Sequence, residues 1–287
     1  MKSKLKIISA MLIFGSIGIF VKNINLPSIE IAFFRAVIGS LFLLFSGLIM
    51  KKKMSLKLIK ENILLLILSG VALGFNWILL FQAYKYTTIS NSTLSYYFAP
   101  VFVIILAPVI LKEKLTIIKI LCVIAAMAGL FLIVSVGSSS LQGTYNHLLG
   151  IMYGLSAAIL YASVILMNKF IKNLSGFDST LIQLTIAALV LLPTMIYQGN
   201  LNISNINSTT WIFIFIIGIL HTGVAYLLYF SSIKKIKGQS IAILSYIDPI
   251  SAVIMASLFL GETITFVKII GGVLILGSTF LSERLDK

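Results

Sequence analysis

Read for hydropathy alone, the chain is a succession of long apolar runs separated by short polar breaks. A helix needs about 20 apolar residues to cross the hydrocarbon core of a bilayer. Ten stretches approach that length, at roughly 5–21, 28–50, 61–85, 90–111, 116–136, 148–168, 178–197, 211–233, 239–260 and 265–282. The longest breaks between them are 137–147 and 198–210. The pattern predicts an all-α integral membrane protein with ten transmembrane helices.

The runs also repeat. Tyr96-Tyr97-Phe98-Ala99-Pro100 is followed thirteen residues after its proline by Glu113, and Ser245-Tyr246-Ile247-Asp248-Pro249 is followed at the same interval by Glu262. A shift of 149 takes Pro100 to Pro249, Glu113 to Glu262, Thr116 to Thr265, Gly74 to Gly223, Trp77 to Tyr226 and Phe81 to Phe230. A shift of 148 takes Glu30 to Asp178 and Arg35 to Gln183. In so apolar a chain the polar and proline matches carry the information. They divide it into residues 1–140, with helices 1–5, and residues 145–287, with helices 6–10. Five crossings per half mean the halves insert with opposite orientation, an arrangement that recurs in secondary transporters. Only the second copy places an acid before its proline: Asp248 stands where the first repeat has Ala99.

Composition agrees with the membrane reading. The chain is 59% hydrophobic and only 10% charged, against roughly 25% charged in soluble domains. Its net charge of +14 is not a nucleic-acid footprint, because the basic residues lie between the apolar runs. With the N-terminus inside, eighteen of the twenty-two fall at inner ends or loops. That bias sets both termini in the cytoplasm. The basic start followed by an apolar run has the outline of a signal peptide, but no small-x-small cleavage site follows, so a retained first helix is expected. Cys122, the single cysteine, excludes an intrachain disulfide.

Ionisable groups inside a bilayer are costly and tend to face a cavity or a partner. Asp248 is the first candidate for a proton or a cationic group. Pro249 frees the carbonyl near Ser245 by removing a backbone donor, giving a polar face of Ser245, Asp248 and Ala252; the alternative is a kink with Asp248 locked to a neighbouring helix by Arg35. His221 can change protonation near neutral pH, or sit neutral against Thr222 or a carbonyl. Arg35 can grip a carboxylate in two-pronged fashion, or pair with Glu30, or reach toward the surface; Gln183 is its counterpart in the second half. Trp77, Tyr97, Tyr226 and Tyr229 fall in helices 3, 4 and 8 and are candidates for stacking or cation–π contacts, against ordinary packing. Glu113 and Glu262 read as helix or loop anchors. Two histidines without ligand spacing give no metal site, and no cofactor is implied. The small residues Gly129 and Gly271 in helices 5 and 10 permit close packing within a repeat or a homodimer contact.

Ten helices, two inverted five-helix repeats and a proline-to-glutamate unit in each half resemble the EamA family of the drug/metabolite transporter superfamily. The stretch His221–Phe230, then Ser245–Pro249 and Gly261-Glu262, is similar to that family's second repeat. The resemblance implies helices 1–4 and 6–9 around a central cavity, helices 5 and 10 at the periphery, and export or import of amino acids, other metabolites or drugs. The expectation is a secondary transporter of a small organic solute, with protons as a coupling partner, in the cell membrane. The alternatives are a passive facilitator or channel, and a multidrug or amine exporter. A lipid-acting enzyme would need a converging set of acids or histidines that the sequence does not offer. No phosphate-binding Gly-x-x-x-x-Gly-Lys motif occurs to supply a built-in ATP drive.

Overall fold

The computed structural model describes residues 2–52, 54–112, 116–139, 145–197, 206–233 and 244–284. Among them there is no strand. The helices are α1 (Lys2–Lys22), α2 (Ser28–Ile49), α3 (Leu56–Glu61), α4 (Ile63–Tyr86), α5 (Ile89–Tyr96), α6 (Ala99–Ile110), α7 (Ile117–Ser139), α8 (His147–Phe170) and α9 (Gly176–Tyr197). They continue with α10 (Ser208–Phe215), a π-wound segment (Ile216–Val224), α11 (Ala225–Ile233), α12 (Ile247–Leu260) and α13 (Phe266–Arg284).

Among the described residues seven segments are long and apolar enough to cross a membrane: α1, α2, α4, Ile89–Ile110, α8, α9 and Ser208–Ser232. Shorter apolar helices cover Ile117–Ile133, Ile247–Leu260 and Phe266–Ser282. Phe81, Ile31, Leu43 and Leu184 are buried, yet Ile49, Val109, Phe131, Leu258 and Phe266 lie open on the outside. Large apolar residues on both sides of the bundle suit a surface bathed in lipid. This is a multi-pass membrane protein.

Both prolines break the chain more sharply than a kink. The run expected at 90–111 is two helices, α5 and α6, with a turn at Tyr97 and Phe98 and with Pro100 in the first turn of α6. Proline has no N–H to give the carbonyl four residues back and crowds it sterically. In the second copy, α12 starts afresh at Ile247 after a turn at Tyr246. Asp248 therefore sits in the first turn of a new helix, not within a continuous helix over 239–260. Residues 239–243 lie outside the described residues. The short helix α3 was not expected; Ser55 caps it by accepting from the Leu58 N–H at 3.4 Å.

The packing brings distant segments together. α4 lies along α8 and α9, α1 along α12 and α11, and α2 between α9 and the π segment. α7 packs on α13 through Gly129 and Gly271, where a side chain on Gly129 would start 2.6 Å from the Gly271 carbonyl oxygen. The small residues of these two helices thus serve a contact between them, not packing within one repeat. At Gly39 a side chain would start 2.5 Å from the Thr222 methyl. Gly39→Val is expected to force α2 off the π segment and lower stability by about 1–3 kcal/mol, the usual cost of overpacking. Thermal unfolding in detergent checks this, and an unchanged midpoint would refute it.

Candidate functional site

The two proline breaks face each other in the middle of the bundle. The Tyr97 hydroxyl, at the α5–α6 turn, donates a hydrogen bond to the Asp248 carboxylate at the start of α12. The expected alternative, Asp248 held by Arg35, is not what forms. Around this pair stand more aromatics. Tyr96 stacks on Tyr161 at 5.3 Å between ring centroids and packs edge-on to Tyr97. Tyr226 packs on Phe14 at 5.4 Å and on Phe230 at 5.9 Å, and Tyr229 packs edge-on to Phe230. Tyr161 is 37% exposed although it lies within electrostatic reach of Tyr226, Tyr229 and Asp248 on other helices.

Asp248 is brought close to α1 by Gly15, where a side chain would start 2.6 Å from the Asp248 carbonyl oxygen. Ser251 donates to that same carbonyl at 2.9 Å. Ala252, expected on the same face, is buried, while Ser245 lies half-buried just before the turn.

Arg35 is 5% exposed, two turns into α2. Its guanidinium lies over the Trp77 ring at 3.9 Å, with Phe81 at 5.7 Å, and its Nε donates to the Thr222 hydroxyl at 2.9 Å. Cation–π contact with a desolvated arginine contributes about 2 kcal/mol, comparable with the roughly 2.5–3.5 kcal/mol that insertion scales assign to a charge at the middle of a membrane helix. Neither pairing with Glu30 nor reaching to the surface describes this side chain.

The π segment supports that contact. Thr222 donates to the Ile217 carbonyl at 3.1 Å, five residues back, which leaves its oxygen free to accept from Arg35. π-winding is rare and concentrates at functional positions. His221 is fully buried in the same segment, with Nε2 at 2.9 Å from the Ser16 hydroxyl, Nδ1 at 3.3 Å from the Ile216 carbonyl and the Phe20 ring against it. It ties α1 to the π segment. Gln183 is likewise engaged, its amide donating to Ser69 and to Asn168, each at 2.7 Å. Both residues act here as inter-helix ties.

The family model of the EamA-like transporter family matches residues 1–135 and 148–284. The chain belongs to the EamA-like transporter family. An uncharacterized transporter of Bacillus subtilis (strain 168), YxxF, is 33% identical over 275 residues, covering 93% of this chain and 87% of the relative. An uncharacterized transporter of Archaeoglobus fulgidus is 26% identical over 281 residues, covering 97% and 94%. A solved crystal structure superposes with a TM-score of 0.66 at 16% identity, covering 99% of both chains, and so shares the fold.

One further cluster lies at an end of this EamA-family bundle. Gly261 takes a left-handed conformation, φ 66°, and closes α12. The reversal sends Glu262 to the start of α5, where its carboxylate accepts from the Ile89 N–H at 2.6 Å, the Ser90 N–H at 3.1 Å and the Ser90 hydroxyl at 2.7 Å. Thr88 takes the next orphan donor, the Asn91 N–H, at 3.2 Å. An anion at a helix N-terminus meets unpaired N–H groups and the positive end of the helix dipole. Lys22 reaches the same carboxylate at 3.5 Å and the Tyr145 hydroxyl at 3.0 Å. His147 meets the Thr87 hydroxyl at 2.7 Å. Glu262 is thus an anchor, as expected, but for a helix that starts 173 residues earlier in the chain. Its partner in the repeat, Glu113, lies outside the described residues.

Asn76 and the polar run Ser90–Ser95 were not singled out in the sequence. Asn76 is fully buried, donates to the Ala157 carbonyl at 2.6 Å and accepts from Tyr96 at 3.5 Å. The signal was there: Ser90-Asn91-Ser92-Thr93-Leu94-Ser95 is a dense polar stretch inside an apolar span.

Proposed function

We propose that this family member is a secondary transporter that moves a small organic solute, an amino acid or related metabolite, across the cell membrane by alternating access, with Asp248 as the proton-coupling group. The observation that carries the reading is the Tyr97–Asp248 hydrogen bond, which joins the two proline breaks through an acid that only the second repeat places before its proline. A broken helix in the bundle interior is tolerated where it lines a polar space.

Ten crossings in two inverted halves, with both termini in the cytoplasm, complete the proposal. Contacts between the halves support it, because most of the extensive ones have a counterpart. α4 against α8 is answered by α11 against α1, α5 and α6 against α8 by α12 against α1, and α4 against α9 by the π segment against α2. Helix pairs that exchange in this way suit a rocking motion of one half against the other.

Counterflow is the test of mechanism. Proteoliposomes preloaded with a mixture of unlabelled amino acids should draw in labelled ones faster than empty ones, whereas a channel shows no such stimulation. Topology is tested separately in a Cys122→Ala background. Single cysteines at the exposed positions Lys57 and Thr209 should react with an impermeant maleimide from opposite faces, Lys57 from the cytoplasm. Labelling of both from one side would overturn the orientation.

A further inference from the structure

We infer that Arg35 is the recognition site for a carboxylate, so that the transported solute is an organic acid or a zwitterion and not a simple amine or a neutral drug. This deepens the transport reading and rests on it. Three features of the geometry carry it.

The first is an unmatched charge. Arg35 is 95% shielded from solvent, and among the described residues no carboxylate lies within ion-pair distance of it. Of the two acids weighed as its partners, Asp248 accepts from Tyr97, and Glu30 forms no ion pair with Arg35. A buried cation is normally paired.

The second is the orientation of the guanidinium. Its face rests on Trp77 and its Nε is committed to Thr222. Among the described residues the two terminal amino groups have no hydrogen-bond partner. In the planar guanidinium they form a fork, the shape that matches the two oxygens of a carboxylate. Lysine offers a point charge in its place and no such fork.

The third is how firmly the fork is held. Gly39 lets α2 approach the π segment, and Thr222 is fixed by its bond to Ile217. Trp77 is itself buried. Tyr226, Tyr96 and Tyr84 stand close enough to feel the charge of Arg35, and Tyr226 also feels that of Asp248. Tyr226 thus lies near both the cation and the acid, the one suited to a carboxylate and the other to an amino group.

Trp77 provides the readout. The chain has two tryptophans, so Trp211→Phe leaves Trp77 as the only indole, in contact with the proposed site. Purified Trp211→Phe protein is titrated with matched sets of one skeleton, an L-amino acid, its carboxamide and its decarboxylated amine, across the standard amino acids and with short mono- and dicarboxylates. Trp77 emission and thermal unfolding are recorded together. Carboxylate members should change the emission and raise the unfolding temperature, and their amides and amines should bind about tenfold or more weakly, the cost of losing a charge-assisted pair of hydrogen bonds. Arg35→Gln should erase the preference, and Arg35→Lys should retain part of it. If Arg35→Gln fails to fold, the acid-against-amide comparison in the parent still decides. Amides or amines binding as tightly as their acids, Arg35→Gln binding acids like the parent, or no carboxylate binding at all would each overturn the inference. No gradient is involved. A protein that binds acids but shows no counterflow therefore sinks only the transport reading, and counterflow restricted to amines sinks only this one.

Discussion

Asp248→Asn should leave exchange intact and abolish uphill accumulation. The carboxamide still offers an oxygen to the Tyr97 hydroxyl, so the contact between the two breaks survives. What is lost is a group able to gain and release a proton. In proteoliposomes with an imposed pH gradient, the variant should equilibrate solute without concentrating it, and its rate should no longer depend on pH between about 5 and 8, where functional carboxylates in apolar settings titrate. Tyr97→Phe should slow transport while keeping the pH dependence, because the carboxylate remains. Concentrative uptake by Asp248→Asn with an unchanged pH profile would remove Asp248 from the coupling role.

The second large effect is expected at Glu262. Glu262→Ala strips the partners from the Ile89 and Ser90 N–H groups and the Ser90 hydroxyl at one stroke. Leaving a buried donor unsatisfied costs about 1–3 kcal/mol, so the start of α5 should loosen from the α12–α13 connection. Ser92 is fully buried just inside that end. In a Cys122→Ala background, a cysteine at position 92 should react about tenfold faster with an impermeant maleimide when Glu262→Ala is present, the factor that corresponds to 1.4 kcal/mol. Glu262→Gln keeps one acceptor oxygen and should fall between. A cysteine at 92 that stays equally protected would show that Glu262 does not hold this end shut.

The fold class was readable because lipid imposes so simple a rule: long apolar runs and short polar breaks. The two prolines were readable for the same reason, since a missing N–H acts locally, although the breaks proved complete enough to start new helices at Ala99 and Ile247. Asp248 stood out as an acid without a counterpart. The π segment could not be seen, because an apolar helix surrounded by apolar neighbours carries no periodicity to betray a change of winding. Without it Thr222 could not be placed against Arg35, and the choice between Glu30, the surface and a ligand stayed open. His221 and Gln183 were selected for polarity within a span, but polarity does not say whether a partner waits across the interface. Ser16 and Ser69 do wait there, and only packing reveals them.

The cap on α5 has a consequence for how the chain is made. Helix α5 is complete by residue 96, yet the carboxylate that satisfies its first two N–H groups is residue 262. During synthesis the first half enters the membrane with that helix end unfinished, and it stays so until almost the whole second half has followed. The last connection to be inserted then closes an opening left by the fourth apolar run. A first half expressed alone should therefore fray at residues 89–91, and supplying the second half as a separate chain should restore protection of those amides against hydrogen exchange.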